Sequence, residues 1–422
     1  MTTEEQTVNS TPDDDTPIGR VGFGLFEPAT RANPYPVYHR LREQAPIYHS
    51  PAGIHIFSRY ADAAAILCDP RFGYSEPRAP LGRALLTEHD RTGLLRDDHG
   101  KSVSSFLTRN PPDHNRLRRF VAPSFTPRAV ARLAPRITAI TDALLDTALA
   151  SREVDLVESF AYALPFTVIC ELLDIPAADH TMVQHWSHTM ARGLDPEFLV
   201  PPQRVEQRVR AVLETAAYFH ELSAQRRAHP GSDLLSELAT IEDNGDALTA
   251  PELLSTCLLL LVAGHESTAS LIASGVLALL DHPDQLARLR AEPGLAAAAV
   301  EEVLRYDPPP QLVFRATLTD LTIGESFLPA GTMAMVLLGA ANRDPAEFPD
   351  PDRLDLTRAT QRHLAFSQGI HFCLGAPLAR LQATIALRRL LERTTTVALN
   401  GQPRWKPNVA LRGLEALPIT LR

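Results

Sequence analysis

The chain has 422 residues, 45% of them hydrophobic and 22% charged, with a formal net charge of -9. That length suits one large domain or about two to three ordinary ones, with enough apolar residues for a sizeable core. The negative balance argues against nucleic acid as the main partner. The four cysteines, Cys68, Cys170, Cys257 and Cys373, stand far apart with neither a Cys-x-x-Cys pair nor zinc-ligand spacing, so a reducing, cytoplasmic setting is expected.

Residues 1–17 are rich in Thr, Asp and Glu and have no apolar run. They predict a disordered tail, not a signal peptide or a membrane anchor, followed by a single domain over 18–422. A short helix is expected over 33–45, and two strands at 47–48 and 53–57 around a Ser-Pro-Ala-Gly turn. An alanine-rich helix follows at 60–68, then a long, partly helical loop over 73–112 of the kind that forms lids or binding loops. Residues 113–121 read as a helix that puts His114 and Arg118 on one face. Two such groups can hold a carboxylate, although taken alone they describe a solvated basic helix. Helical periodicity marks 129–149, 154–173 and 204–227, with a Trp-, Met- and Phe-containing connection at 185–202 between the last two.

Thr249-Ala250-Pro251-Glu252 is a capping box with proline in the first turn. The helix it opens can run to Asp281, about 32 residues and about 48 Å. Its middle is apolar all round and too polar at Gly264-His265-Glu266 for a bilayer span, so a buried helix of a soluble protein is expected. A buried acid and hydroxyl cost on the order of 1–3 kcal/mol unless satisfied. Ala263, Gly264, Glu266 and Ser267 therefore read either as helix residues with a hydroxyl bonded to the preceding turn, or as a small-residue notch with an acid–alcohol pair. Residues 296–306 form a second strong helix in which Glu302 and Arg305 can pair. An extended segment at 311–317 carries Arg315 as its only charge, and 320–338 reads as a hairpin turning at Pro329-Ala330-Gly331.

The most informative stretch is Phe366-Ser367-Gln368-Gly369-Ile370-His371-Phe372-Cys373-Leu374-Gly375, followed by a helical pattern over 377–394 with Pro377 in its first turn. Gly369 and Gly375 are expected to take backbone angles that a side chain forbids. A helix N-terminus aimed at Cys373 would favour its thiolate. The pattern Phe-x-x-Gly-x-x-x-Cys-x-Gly resembles the haem-binding loop of the cytochrome P450 family. Ala263-Gly264-His265-Glu266-Ser267-Thr268 resembles that family's oxygen-activation motif, with Ser267 where most members carry threonine. His114 and Arg118, followed by Phe125-Thr126-Pro127, resemble its propionate-gripping helix, and Glu302-x-x-Arg305 its buried charge network with Arg353 as third member. The resemblance runs from about Asn33 to the C-terminus, in the family's order, and points to its soluble bacterial members that tailor secondary metabolites.

That resemblance implies a mainly α fold with small β-sheets, and a haem between the long central helix and the cysteine loop. Haem b (iron protoporphyrin IX) would be ligated by Cys373, its carboxylates neutralised by His114, Arg118, Arg315 and His371, with Phe366 and Gly375 in the same loop. Ala263 and Gly264 would leave room for O2, and Glu266 and Ser267 would organise protons. The implied reaction is hydroxylation or epoxidation of a hydrophobic small molecule, a polyketide or macrolide first, with pocket residues such as Leu259, Leu312 and Val313. Electrons would come from a separate ferredoxin and ferredoxin reductase, because no flavin-like glycine motif is present. A cytoplasmic monomer with no membrane or nucleic-acid partner is expected. Two other readings are a peroxide-driven peroxygenase, given Ser267, and a haem-bearing protein that recruits a partner without turnover.

Overall fold

The computed structural model describes residues 22–74, 95–96, 99–100, 103–192, 195, 200–243, 245–324, 326–358 and 362–422. The expected tail at 1–17 lies outside these residues. So do 75–94, 97–98 and 101–102 of the expected lid loop and 193–194 and 196–199 of the connection before residue 202.

The helices that frame the site are α1 (Tyr35–Gln44), α2 (Tyr60–Cys68), α3 (Asp113–Val121), α4 (Ala134–Ser151), α5 (Ala163–Leu172), α6 (His180–Ala191), α7 (Pro202–Ala228), α8 (Ala250–Asp281), α9 (Ala296–Tyr306) and α10 (Ala376–Arg393). The main sheet contains β1 (Ile47–His49), β2 (Ile54–Phe57), β3 (Phe72–Gly73), β4 (Leu312–Thr317) and β5 (Met333–Leu337), in the order β1-β2-β5-β4-β3. β2 and β5 run parallel, with Met335 opposite Ile56. A parallel pair needs a crossover, and here the crossover is the entire helical body. β4 is therefore an inner strand, and Arg315 on it is 4% exposed, not a surface residue on an edge. The strand-to-strand pairing also corrects the expected hairpin. Leu321–Ile323 pairs with Ser326–Leu328 around Gly324 (φ +55). Pro329-Ala330-Gly331 instead leads into β5, which pairs with β4. Part of the expected connection at 185–202 is helical, being the second half of α6.

α8 organises the rest. Its N-terminus carries the complete capping box: Glu252 N donates to Thr249 Oγ1, and Thr249 N donates to Glu252 Oε2 at 2.9 Å. Such a box contributes on the order of 1 kcal/mol. Glu252 has a second use. Arg116 of α3 reaches it at 2.6 Å and reaches Asp246 at 2.8 Å. Arg116 lies two residues from both His114 and Arg118, so this clamp holds the opposite face of α3 against the start of α8. α8 is long and apolar enough to cross a membrane, but 72% of its apolar window is buried within the fold. α5, α6, α7, α9 and α10 all pack on it.

The Glu-x-x-Arg pair is fully buried. Arg305 Nε and Nη2 donate to the two Glu302 oxygens, both at 2.8 Å. The remaining Arg305 donors reach the carbonyls of Asn342, Pro351 and Arg353 at 3.1, 2.8 and 3.1 Å. The third charge is Arg358, whose Nε donates to Glu302 Oε1 at 3.3 Å. Arg353 was the expected member, but its side chain is exposed and only its carbonyl joins the network. A buried pair of this kind is stable only with its lone pairs and protons satisfied, and four backbone groups, those three carbonyls and Asp355 N on Glu302, supply most of that.

Candidate functional site

The loop before α10 is shaped by two residues at positive φ, Ser367 (+59) and Gly369 (+67). At Gly369 an added Cβ would sit 2.4 Å from the carbonyl oxygen of Leu67, so α2 passes too close for any side chain. Gly375 departs from expectation: its φ is -80, and no protein atom lies within 4 Å of where its Cβ would be. The loop closes when Cys373 N donates to the Phe366 carbonyl at 2.9 Å. Gly375 then caps α10, with Pro377 in the first turn as predicted. Burial pushes the Cys373 thiol up, while the N–H groups of Gly375 and Ala376 and the Arg118 and Arg380 guanidiniums pull it back. Cationic and N–H groups converging on one sulfur form the setting of a thiolate ligand. Arg380 stacks on Phe366 at 4.5 Å and pairs with Glu301 at 2.6 Å.

The four predicted basic residues do converge beside this loop. The His114 and His371 rings are 4.5 Å apart, and Tyr74 lies edge-on to His371 at 5.1 Å. Arg315 donates to Tyr74 Oη at 2.9 Å, and Arg118 donates to the Phe372 carbonyl at 2.6 Å. Burial, then Arg315, His114 and Arg118, depress the His371 imidazole to about 3. Nε2 of His114 and Nε2 of His371 are both buried without a hydrogen-bond partner among the described residues. Buried polar atoms are rarely left so. A cluster of two imidazoles and two guanidiniums with unspent nitrogens fits an anionic cofactor edge. The donor set thus fits a haem, with a sulfur ligand on one side and groups for carboxylates at the rim. Tyr74 gave no sequence signal: it stands just after β3, at the start of what reads as a long, partly helical loop.

On α8, Ala263 is exposed, and Gly264 and Ser267 are half-buried, in the middle of an otherwise buried helix. Ser267 Oγ donates back to the Ala263 carbonyl at 3.4 Å, and Thr268 is buried on another face. A Cβ on Gly264 would meet Ile169 of α5 at 3.0 Å, so this glycine also serves helix packing. Glu266 is 2% exposed and is not paired with Ser267. Its Oε2 accepts from Lys406 Nζ at 2.7 Å, and His188 Nδ1 stands 3.5 Å from Oε1. Burial would raise this carboxyl, but His188, Lys406 and His265 hold it down to about 2. Lys406 and His188 gave no sequence signal, since a single lysine in a C-terminal loop and a histidine on a helix have many bland uses. Leu312 is buried and Val313 and Leu259 are half-buried.

A cysteine loop capping one helix, a cluster of cations at its side and a polar break in a buried helix define a haem-thiolate enzyme site. Comparison with known proteins gives the family. The family model described as Cytochrome P450 matches residues 89–295 and 294–412. The chain is 42% identical over 402 residues to Cytochrome P450 monooxygenase PikC of Streptomyces venezuelae, covering 93% of this chain and 92% of that protein. It is 39% identical to 6-deoxyerythronolide B hydroxylase of Saccharopolyspora erythraea, covering 92% and 96%. Among solved structures, ligand-free CYP164A2 of Mycobacterium smegmatis superposes with a TM-score of 0.85 at 42% identity, covering 94% and 98%. The chain belongs to the cytochrome P450 family. It is a monooxygenase of the bacterial secondary-metabolite tailoring type, and its cofactor is a haem.

Proposed function

We propose that this protein hydroxylates or epoxidises a hydrophobic small molecule, a polyketide or macrolide first, using O2 and electrons from a ferredoxin and its reductase. The observation that carries the site is the pair of unspent nitrogens on His114 and His371 beside Cys373. Haem b, when bound, supplies an iron whose thiolate ligand favours O–O cleavage. Cys373, held by the Phe366 carbonyl and the start of α10, would ligate the haem iron. His114, Arg118, Arg315 and His371 would neutralise the haem carboxylates, with Phe366 and Gly375 in the same loop as the sulfur. Ala263 and Gly264 keep α8 slim at its polar break and would leave room for O2. Ser267, whose hydroxyl donates to the Ala263 carbonyl, and Glu266 would organise protons. Leu259, Leu312 and Val313 suit an apolar ligand. The relatives named 6-deoxyerythronolide B hydroxylase and Polyketide biosynthesis cytochrome P450 PksS support the choice of substrate class. Residues 18–422 act as one domain of a cytoplasmic monomer.

Replacing Cys373 by His tests the core of this reading. The reduced, carbon-monoxide-bound protein should lose its red-shifted absorption band while the protein stays folded. Retention of that band sinks the ligand assignment. Substrate class is tested by the haem spectral shift across polyketides, macrolides, terpenoids and fatty acids. No response to any macrolide or polyketide would overturn the first choice.

A further inference from the structure

A cleft of about 410 Å³ lies between α6 and α7. On the α6 side it is lined by His185, His188 and Thr189, with Arg192 just past the helix end, and on the α7 side by Arg204, Gln207 and Arg210. Spacings of three, four and seven residues put these side chains on the facing surfaces of the two helices.

The charges in the cleft do not balance. Three guanidiniums and two imidazoles face one carboxylate, Glu214. That carboxylate is already spent, because Trp186 Nε1 donates to its Oε2 at 2.7 Å. Arg192 stands 3.5 Å from Glu415. Arg204 and Arg210 have no hydrogen-bond or ion-pair partner among the described residues. The chain has 50 acidic residues against 41 basic ones, so carboxylates are in surplus. Arginines on other helices take them, as Arg389 takes Asp142 at 2.8 Å. Unpaired guanidiniums gathered in one concavity repel one another, and a bound dianion removes that repulsion. Trp186 adds a rigid wall. Its indole is half-buried, pinned through Glu214 and packed on Tyr218 at 5.8 Å.

A guanidinium fork matches the oxygens of a phosphate two at a time. An indole face takes a planar ring. The volume is that of a small-molecule site. We propose that the α6–α7 cleft binds a phosphate ester carrying a planar ring, of the nucleoside diphosphate class, with Arg204 and Arg210 on the phosphates and Trp186 against the ring. This ligand is chemically distinct from a hydrophobic substrate, so the inference goes beyond the monooxygenase reading and does not depend on it.

Calorimetry of the haem-loaded protein at low salt, with inorganic pyrophosphate, ADP and adenosine as probes, tests the site. Pyrophosphate and ADP should each bind once per chain, and adenosine should not bind. Stacking should make ADP about fivefold tighter than pyrophosphate or better. Arg204→Gln and Arg210→Gln alter exposed side chains and should fold normally. Each should weaken pyrophosphate about tenfold. Arg288→Gln, on the separate helix Pro283–Ala291, controls for overall charge and should change nothing. In Trp405→Phe protein, Trp186 is the one tryptophan left, and its fluorescence should change when ADP is added. Failure of pyrophosphate and ADP to bind the parent overturns the site, and so does parent-like binding in the Arg204→Gln/Arg210→Gln double variant. Equal weakening by Arg288→Gln also overturns it, because the attraction is then diffuse. ADP no tighter than pyrophosphate, adenosine binding as well as ADP, or an unchanged Trp186 signal overturns the proposed ligand class. None of these measurements needs turnover, so their failure is distinguishable from failure of the monooxygenase reading.

Discussion

Removing the Arg358 side chain should destabilise the protein, and removing Arg353 should not. The two arginines are five residues apart in a Pro- and Asp-rich loop, and sequence pattern favours the first. In the structure Arg358 Nε donates to the buried Glu302 carboxylate at 3.3 Å. Its Nη groups reach the carbonyls of Pro349, Asp350 and Arg353 at 2.7, 3.2 and 3.2 Å. Its side chain is 13% exposed and that of Glu302 is 0%. A hydrogen bond to a buried charge is worth about 1.5–3 kcal/mol, and the carbonyls left behind gain partial access to water. Arg358→Ala should therefore cost about 2–3 kcal/mol. Arg353→Ala removes an exposed side chain and leaves its carbonyl in place, so its cost should stay within about 0.5 kcal/mol. Glu302→Gln leaves Arg305 buried beside a neutral group and should cost about 3–5 kcal/mol. Urea unfolding followed by circular dichroism measures all three, with a constant slope showing that only stability has changed. A double-mutant cycle between Glu302 and Arg358 should show coupling of about 1 kcal/mol or more. Equal losses for Arg353→Ala and Arg358→Ala, or no coupling, would refute the assignment of the third charge.

The two loop glycines should also behave differently. Gly369→Ala puts a Cβ against the Leu67 carbonyl at a φ of +67 and should cost about 2 kcal/mol or more. Gly375→Ala meets no protein atom and should cost less than about 1 kcal/mol; thermal melts of both variants without haem decide the point. Stability should fall steeply in acid. Glu266 and Glu301 are each carried from 4.5 to about 2, in spite of burial, by their cationic partners. A depressed carboxyl stabilises the fold above its unfolded value and loses that contribution as pH falls toward its folded value. Each site then contributes at most about 3 kcal/mol, lost between about pH 4.5 and 2. Unfolding midpoints measured across that range should show it, and Lys406→Met should flatten the part due to Glu266. A pH-independent midpoint there would overturn both pairings.

The local signals in this chain were strong enough to read unaided. The capping box at Thr249 and the length of α8, the whole of α3 and α9, and the cysteine loop with its following helix all follow from nearest-neighbour chemistry. Caps, periodicity and turn residues act within one or two turns of helix, so sequence carries them directly. Family resemblance then supplied the haem. Decisions that depend on which distant atoms meet belonged to the tertiary structure. Arg353 and Arg358 are equally arginine in sequence, and only packing against α9 selects the second. Gly369 and Gly375 look equivalent until α2 passes one of them at 2.4 Å from the missing Cβ. The strand carrying Met333–Leu337 pairs with Leu312–Thr317 on one side and β2 on the other, while the segments next before it in sequence pair with each other. Glu266 shows the limit most clearly. Its motif announces an acid on the central helix, but its partner Lys406 lies 140 residues away, where no local pattern records it.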